Sequence, residues 1–252
     1  MIYPTEKEFL TLTKKGNLIP IYKEILGDLE TPVSAYLKLT SKSKYAILLE
    51  SVEGGEKVCR YSFLAKDPEL VFKSKGKEAE LLTFFSAKPK IEKFTVSQNP
   101  LDEIKKIMSH YHFVAVKGLP KFCGGFIGYM GYDTVRFFEH LPHKPKDDLK
   151  LADMILALVK DLVIFDHLNH KIKIVSCVEI KSTATLAQKR LAYKNAQKRI
   201  EKTILSLRAV VPQSSAPKAS TKPIKLKVSS NFTEKQFEQA VVSAKKNIFK
   251  GD

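Results

Sequence analysis

Three side chains able to do chemistry stand close together in the stretch 45–65: a carboxylate at Glu50, a hydroxyl at Ser51 and a guanidinium at Arg60. They lie at the mouth of a predicted hairpin, with apolar strands over 45–52 and 58–64. The paired glycines of Glu53-Gly54-Gly55-Glu56 supply the positive φ angles of a tight turn. A serine hydroxyl can bond the polar end of an amino acid, and a carboxylate beside it favours an ammonium group, so the trio suits a small zwitterion. The same residues also read as plain structure. Ser51 can simply end a strand, and Arg60 can pair with Glu50 or Glu56 across the hairpin.

Other chemistries find less support. Gly125, Gly128 and Gly131 are spaced GxxGxxG rather than G-x-G-x-x-G, and no Walker sequence occurs, so this stretch is predicted as a bent strand that another backbone approaches closely. His110 and His112 point to different faces, and His140, His143, His167 and His170 sit in loops. With no HExxH pattern and no Cys/His cluster, a metal site built wholly from this chain is not expected. Cys59, Cys123 and Cys177 are widely spaced, which argues against a disulfide framework and fits a reducing compartment; each reads as core filler. Asp166 reads as turn chemistry between two strands.

These groups must be positioned by an ordinary globular chain: 252 residues, 44% hydrophobic and 28% charged. The net charge of +16 is uneven, since the residues from Lys181 onward carry +12 of it. Aromatic and arginine clusters are missing there, so the excess reads as a solvated helix face and a lysine-rich linker, with nucleic acid an unfavoured partner. No N-terminal stretch has signal-peptide character, and the most apolar run, 154–165, is too short to span a bilayer, so a cytoplasmic location is expected.

Helices are predicted over 5–14, with Thr5 as cap; over 100–112, with Asn99 as cap and Pro100 first; over 183–207; and from Thr233, whose capping box closes on Gln236. The seam Tyr193, Ala196, Ile200, Ile204, Leu207 steps by threes and fours. Thr31-Pro32 suits a helix start, while alternating Ala35, Leu37 and Leu39 leave that segment open between helix and strand. Strands are predicted over 18–25, as an antiparallel meander through 45–83, and over 154–165 and 171–180. The fold class is α+β, antiparallel sheets packed with helices. Three parts follow: a domain over 1–211, a Pro/Ser/Lys-rich linker over 212–230, and an opening helix of a further domain over 231–252.

In order along the chain stand Asp28-x-Glu-Thr-Pro-Val-Ser34, Leu48-Leu49-Glu50-Ser51, Arg60-Tyr61-Ser62-Phe63 and Pro120-x-Phe-x-Gly-Gly-Phe-Ile-Gly-Tyr-x-x-Tyr-Asp133, followed by Glu139 and Pro142. This set resembles the N-terminal half of anthranilate synthase component I. The resemblance implies the N-terminal part of a two-sheet chorismate-utilising fold. It also implies conversion of chorismate and ammonia to anthranilate and pyruvate with Mg2+, a glutamine amidotransferase subunit as partner in a heterodimer or heterotetramer, and feedback inhibition by tryptophan. By the same resemblance Ser51 is a tryptophan-binding residue with Glu50 beside it, and Arg60 is structural. The catalytic and Mg2+ residues belong to the other half, so the fragment alone is expected to be inactive. Aminodeoxychorismate synthase component I and a non-catalytic tryptophan-binding module are the alternatives.

Overall fold

Local signals settle most helix ends in the computed structural model, which describes residues 1–50, 60–84, 88–143, 146–212 and 228–251. After a short β1 (Ile2–Tyr3), Thr5 caps α1 (Glu6–Leu12) in a capping box with Glu8. Strand β2 (Leu18–Leu26) leads to α2 (Pro32–Thr40), where the Thr31 cap and Pro32 at the first position decide the ambiguous segment for helix. Then come β3 (Ala46–Leu49), β4 (Tyr61–Lys66), β5 (Leu70–Lys75), β6 (Glu78–Thr83) and an unanticipated β7 (Lys90–Thr95), whose mostly exposed residues, half of them charged, hide it from a hydrophobic pattern. Asn99 caps α3 (Pro100–Ser109), and β8 (Gly125–Met130) carries the glycines. The remaining elements are β9 (Met154–Val159), β10 (Asp161–Asp166), β11 (Lys171–Glu179), α4 (Leu186–Leu207) and α5 (Glu234–Lys250). Helix α4 starts after Thr185 rather than at 183, because Thr185 and Gln188 form its capping box.

Two expectations about strands need correction. Residues 45–83 do not form one meander: β3 and β4 belong to a six-stranded sheet ordered β1-β2-β11-β10-β4-β3, and β5 and β6 to a five-stranded sheet ordered β7-β6-β5-β9-β8. Asp67, at a left-handed φ of 47°, turns the chain from one sheet to the other. Likewise 154–165 is two strands, β9 and β10, parted at Lys160. Every pairing within both sheets is antiparallel.

Alternation of side chains sorts the core into layers. On β10, Val163 and Phe165 face α1, α2 and α4 together with Phe9, Ala35, Leu39, Tyr193 and Ile200. Leu162 and Ile164 face the other way and pack with Val71, Ile127, Ala157 and Val175 between the sheets. Leu70, Phe72 and Met154 form a third cluster against Leu101, Ile104 and Ile107 of α3. The whole predicted seam of α4 is buried. This is an α+β fold of antiparallel sheets with helices on their outer faces.

The chain divides into Met1–Pro212 and Gln213–Asp252. In the second unit α5 has its capping box and a left-handed Gly251 at its end, and Phe237, Val241 and Ile248 are exposed along it. Among the described residues no helix is long and apolar enough to cross a membrane.

Ile200→Ala, at a fully buried position, is expected to cost ~2–5 kcal/mol of unfolding free energy. At Gly128 an added Cβ would stand 2.0 Å from the Ile155 carbonyl oxygen, so Gly128→Ala is expected to cost at least ~1–3 kcal/mol. Leu205→Ala, on the exposed side of α4, should stay within about 0.5 kcal/mol. Urea unfolding of the three variants checks the ranking.

Candidate functional site

Glu50 and Arg60 stand at one end of the six-stranded sheet. The β3–β4 ladder closes with Leu49 opposite Phe63, so Glu50 leaves β3 just as Arg60 leads into β4. Glu50 is exposed, and its carboxylate makes no hydrogen bond or ion pair among the described residues. Ser51 and the Gly54-Gly55 turn lie outside the described residues, as do Glu56 and Cys59.

Arg60 is tied to the neighbouring strand of the sheet. It grips Asp166 at the end of β10 rather than Glu50, with Nε to Oδ1 at 3.1 Å and Nη2 to Oδ2 at 2.9 Å. Such a two-pronged pair fixes orientation as well as charge. Asn169 adds its backbone N–H and its side-chain amide to the same carboxylate. Asp166 therefore does the predicted turn chemistry and also anchors Arg60. Beside it the His167 backbone N–H donates to the Arg60 carbonyl at 2.9 Å, and His167 Nε2 lies 2.7 Å from the buried Ser62 hydroxyl. The guanidinium also covers the Tyr61 ring at 4.9 Å. The corner thus carries one fixed cation, one buried anion and, at Glu50, an exposed carboxylate.

A second concavity escaped the reading of the sequence. A cavity of about 820 Å³ is lined in part by Lys44, Tyr45, Phe84, Lys160, Asn195 and Arg199. Its charges are mostly paired: Lys160 Nζ lies 2.5 Å from both Glu69 and Glu179, and Arg199 meets Asp161 at 3.1 Å. Burial pulls the Lys160 ammonium down, but hydrogen bonds to Glu179 and Glu69 outweigh it and hold the group above its ordinary range. The signal available in sequence was a lysine interrupting an apolar run, which alone names no partner.

The glycine stretch is a strand pressed against β9, so it forms no phosphate cradle. Among the described residues no group of three or more His, Cys, Asp or Glu side chains is arranged to hold a metal ion. Burial pushes the Asp166 carboxyl up, but the bonds from Arg60 and Asn169 outweigh it and hold the group below the ordinary carboxylate range. A carboxyl held low in the folded chain stabilises it above the unfolded value, about 3.9, and the contribution is lost as pH falls through the folded value. Asp166→Asn should therefore melt below the parent at neutral pH, with the gap narrowing as the solution is acidified. Thermal melts across pH check this, and a gap independent of pH would remove the carboxylate's charge from the account.

Comparison with known proteins agrees with the motif resemblance. The profile of the chorismate binding enzyme family matches residues 44–252. Anthranilate synthase component 1 of Acetivibrio thermocellus is 34% identical over 252 residues, covering 100% of this chain and 49% of the relative. The protein of the same name from Synechocystis sp. (strain ATCC 27184 / PCC 6803 / Kazusa) is 34% identical over 258 residues, again with 100% and 49% covered. That of Aquifex aeolicus (strain VF5) is 34% identical over 246 residues, with 98% and 48% covered. A crystal structure of anthranilate synthase component I from Streptococcus pneumoniae TIGR4 superposes with a TM-score of 0.48 at 23% identity, covering 90% of this chain and 45% of that one. The chain spans about half the length of the curated relatives it matches. With the profile matching most of its residues, the chain belongs to the chorismate binding enzyme family.

Proposed function

We propose that this chain is the N-terminal half of an anthranilate synthase component I, a lyase that makes anthranilate and pyruvate from chorismate and ammonia under feedback inhibition by tryptophan. The observation that carries the proposal is the uniform 34% identity to three proteins named anthranilate synthase component 1, each along essentially the whole of this chain. In this reading residues 1–211 are the regulatory N-terminal domain, 212–230 the linker, and 231–252 the opening helix of the chorismate-binding domain. Ammonia comes from a glutamine amidotransferase subunit. The described residues do not fit a magnesium ion, and the proposal puts that ion's ligands and the catalytic groups in the other half of the full-length relatives.

The role assigned to this chain is the regulatory site. Glu50 offers an exposed carboxylate, unpaired among the described residues, at the end of β3 for the tryptophan ammonium group, and Ser51 follows with a hydroxyl for the amino acid's polar end. Arg60, held by Asp166, positions the start of β4 and is not a ligand.

A chimera joining this chain to the second half of the Acetivibrio thermocellus relative tests both parts. With chorismate, magnesium and ammonium it should release anthranilate, while the isolated 252-residue chain should release none. Anthranilate from the isolated chain would overturn the division of labour, and a folded chimera that releases none would overturn the pairing of this chain with that half. Ser51→Ala in the chimera is expected to weaken tryptophan inhibition at least tenfold, equivalent to about 1.4 kcal/mol of effector binding, at an unchanged uninhibited rate. Unchanged inhibition would remove Ser51 from the site.

A further inference from the structure

Among the described residues four strands edge the two sheets, and three of them are poor templates for further pairing. In the six-stranded sheet β1 is two residues long and β3 four. In the five-stranded sheet β7 carries two lysines and a glutamate, all exposed. Short strands and charged edges are the usual means by which a sheet is kept from adding another strand. The fourth, β8, has neither: Gly-Phe-Ile-Gly-Tyr-Met is six residues long and uncharged.

The two faces of β8 are those of an interior strand. Ile127 is buried in the layer between the sheets, and Phe126 packs on the cluster against α3. Its backbone, however, is paired on one side only. Just past the strand the Gly131 N–H donates to the Asp153 carbonyl at 2.7 Å, in the register that β8 keeps with β9. Antiparallel bonds alternate along a strand, so Ile127 and Tyr129 turn their N–H groups to β9 and Phe126, Gly128 and Met130 turn theirs away. Among the described residues no acceptor stands on that outer side. Gly128, Tyr129 and Met130 are exposed there, and Tyr132 just beyond is 83% exposed. An uncharged open edge followed by bare apolar rings marks a contact surface.

We propose that the open edge of β8 receives a strand from the second half of the full-length protein, which extends the five-stranded sheet by main-chain pairing. The chain's place as an N-terminal half, proposed above, is what makes this occupant available: the chain covers 49% of the Acetivibrio thermocellus relative, which leaves a comparable length to supply the strand. The arriving strand is apolar on both faces, because it continues a sheet whose faces at Phe126 and Ile127 are both covered.

Hydrogen exchange resolved to single amides tests this by comparing the 252-residue chain with the chimera that carries the second half of that relative. In the chain alone the Phe126, Gly128 and Met130 amides should exchange fast and those of Ile127 and Tyr129 slowly. In the chimera the first three should slow about 100-fold. Fast outer amides in a chimera that protects Ile127 and Tyr129 would overturn the proposal, even if that chimera releases anthranilate. Slowed outer amides in a chimera that releases none would uphold the edge pairing, and the enzymatic reading would fail alone. Outer amides already slow in the chain alone would also overturn it: rates that change with protein concentration would assign the edge to a second copy, and constant rates to another segment of this chain. If fast exchange at Ile127 and Tyr129 shows the chimera unfolded, the two halves are co-expressed as separate chains. Co-purification with slowed outer amides would then uphold the proposal, and failure to co-purify would overturn it.

Discussion

The structure of residues 1–212 depends on one bent ribbon. Strands β4 and β10 pair in the six-stranded sheet, and each continues into a strand of the five-stranded sheet, where β5 and β9 pair in the same antiparallel sense. The bend falls at 67–69 on one side and at Lys160 on the other. It is held from within: Lys160 takes Glu69 across the ribbon and Glu179 from β11, and the Glu69 N–H donates to the Leu158 carbonyl at 3.1 Å. The Cys177 N–H donates to the Lys160 carbonyl at 2.7 Å, so β11 is fastened to the bend as well. An ammonium group shielded from water is tolerable only with anionic partners of this kind. A single cation thereby fixes where one sheet ends and the other begins, and so fixes the apolar layer between them.

The candidate site and the second cavity both lie along this ribbon. At its outer end Arg60 and Asp166 lock β4 to β10 beside Glu50. Near the bend the cavity at Lys160 opens, and Cys123 and Cys177 lie in the apolar layer between the sheets.

The second unit follows a different logic. Helix α5 has complete capping at both ends and an exposed stripe of Phe237, Val241 and Ile248. Helices of this length gain most of their stability from packing. Relatives that are twice as long have chain available for that purpose.

Reading the sequence by itself determined the helices, because capping and spacing are local. Thr5, Asn99 and Thr233 cap as expected, and the seam from Tyr193 to Leu207 is buried along its whole length. The motif order determined the family, since each motif is a short string that survives without its three-dimensional context. What only the tertiary structure decided was partnership. Alternation marks a strand yet does not say which sheet receives it, so the meander over 45–83 and the single strand over 154–165 each divided between two sheets. A charge in sequence does not name its counter-ion: Arg60 found Asp166, 106 residues away, and Lys160 found Glu69 and Glu179. Cys123 and Cys177, read as core filler, are both buried in the layer between the sheets. Local conformation is set by interactions a few residues long, whereas ion pairs between distant residues exist only once the whole chain has folded.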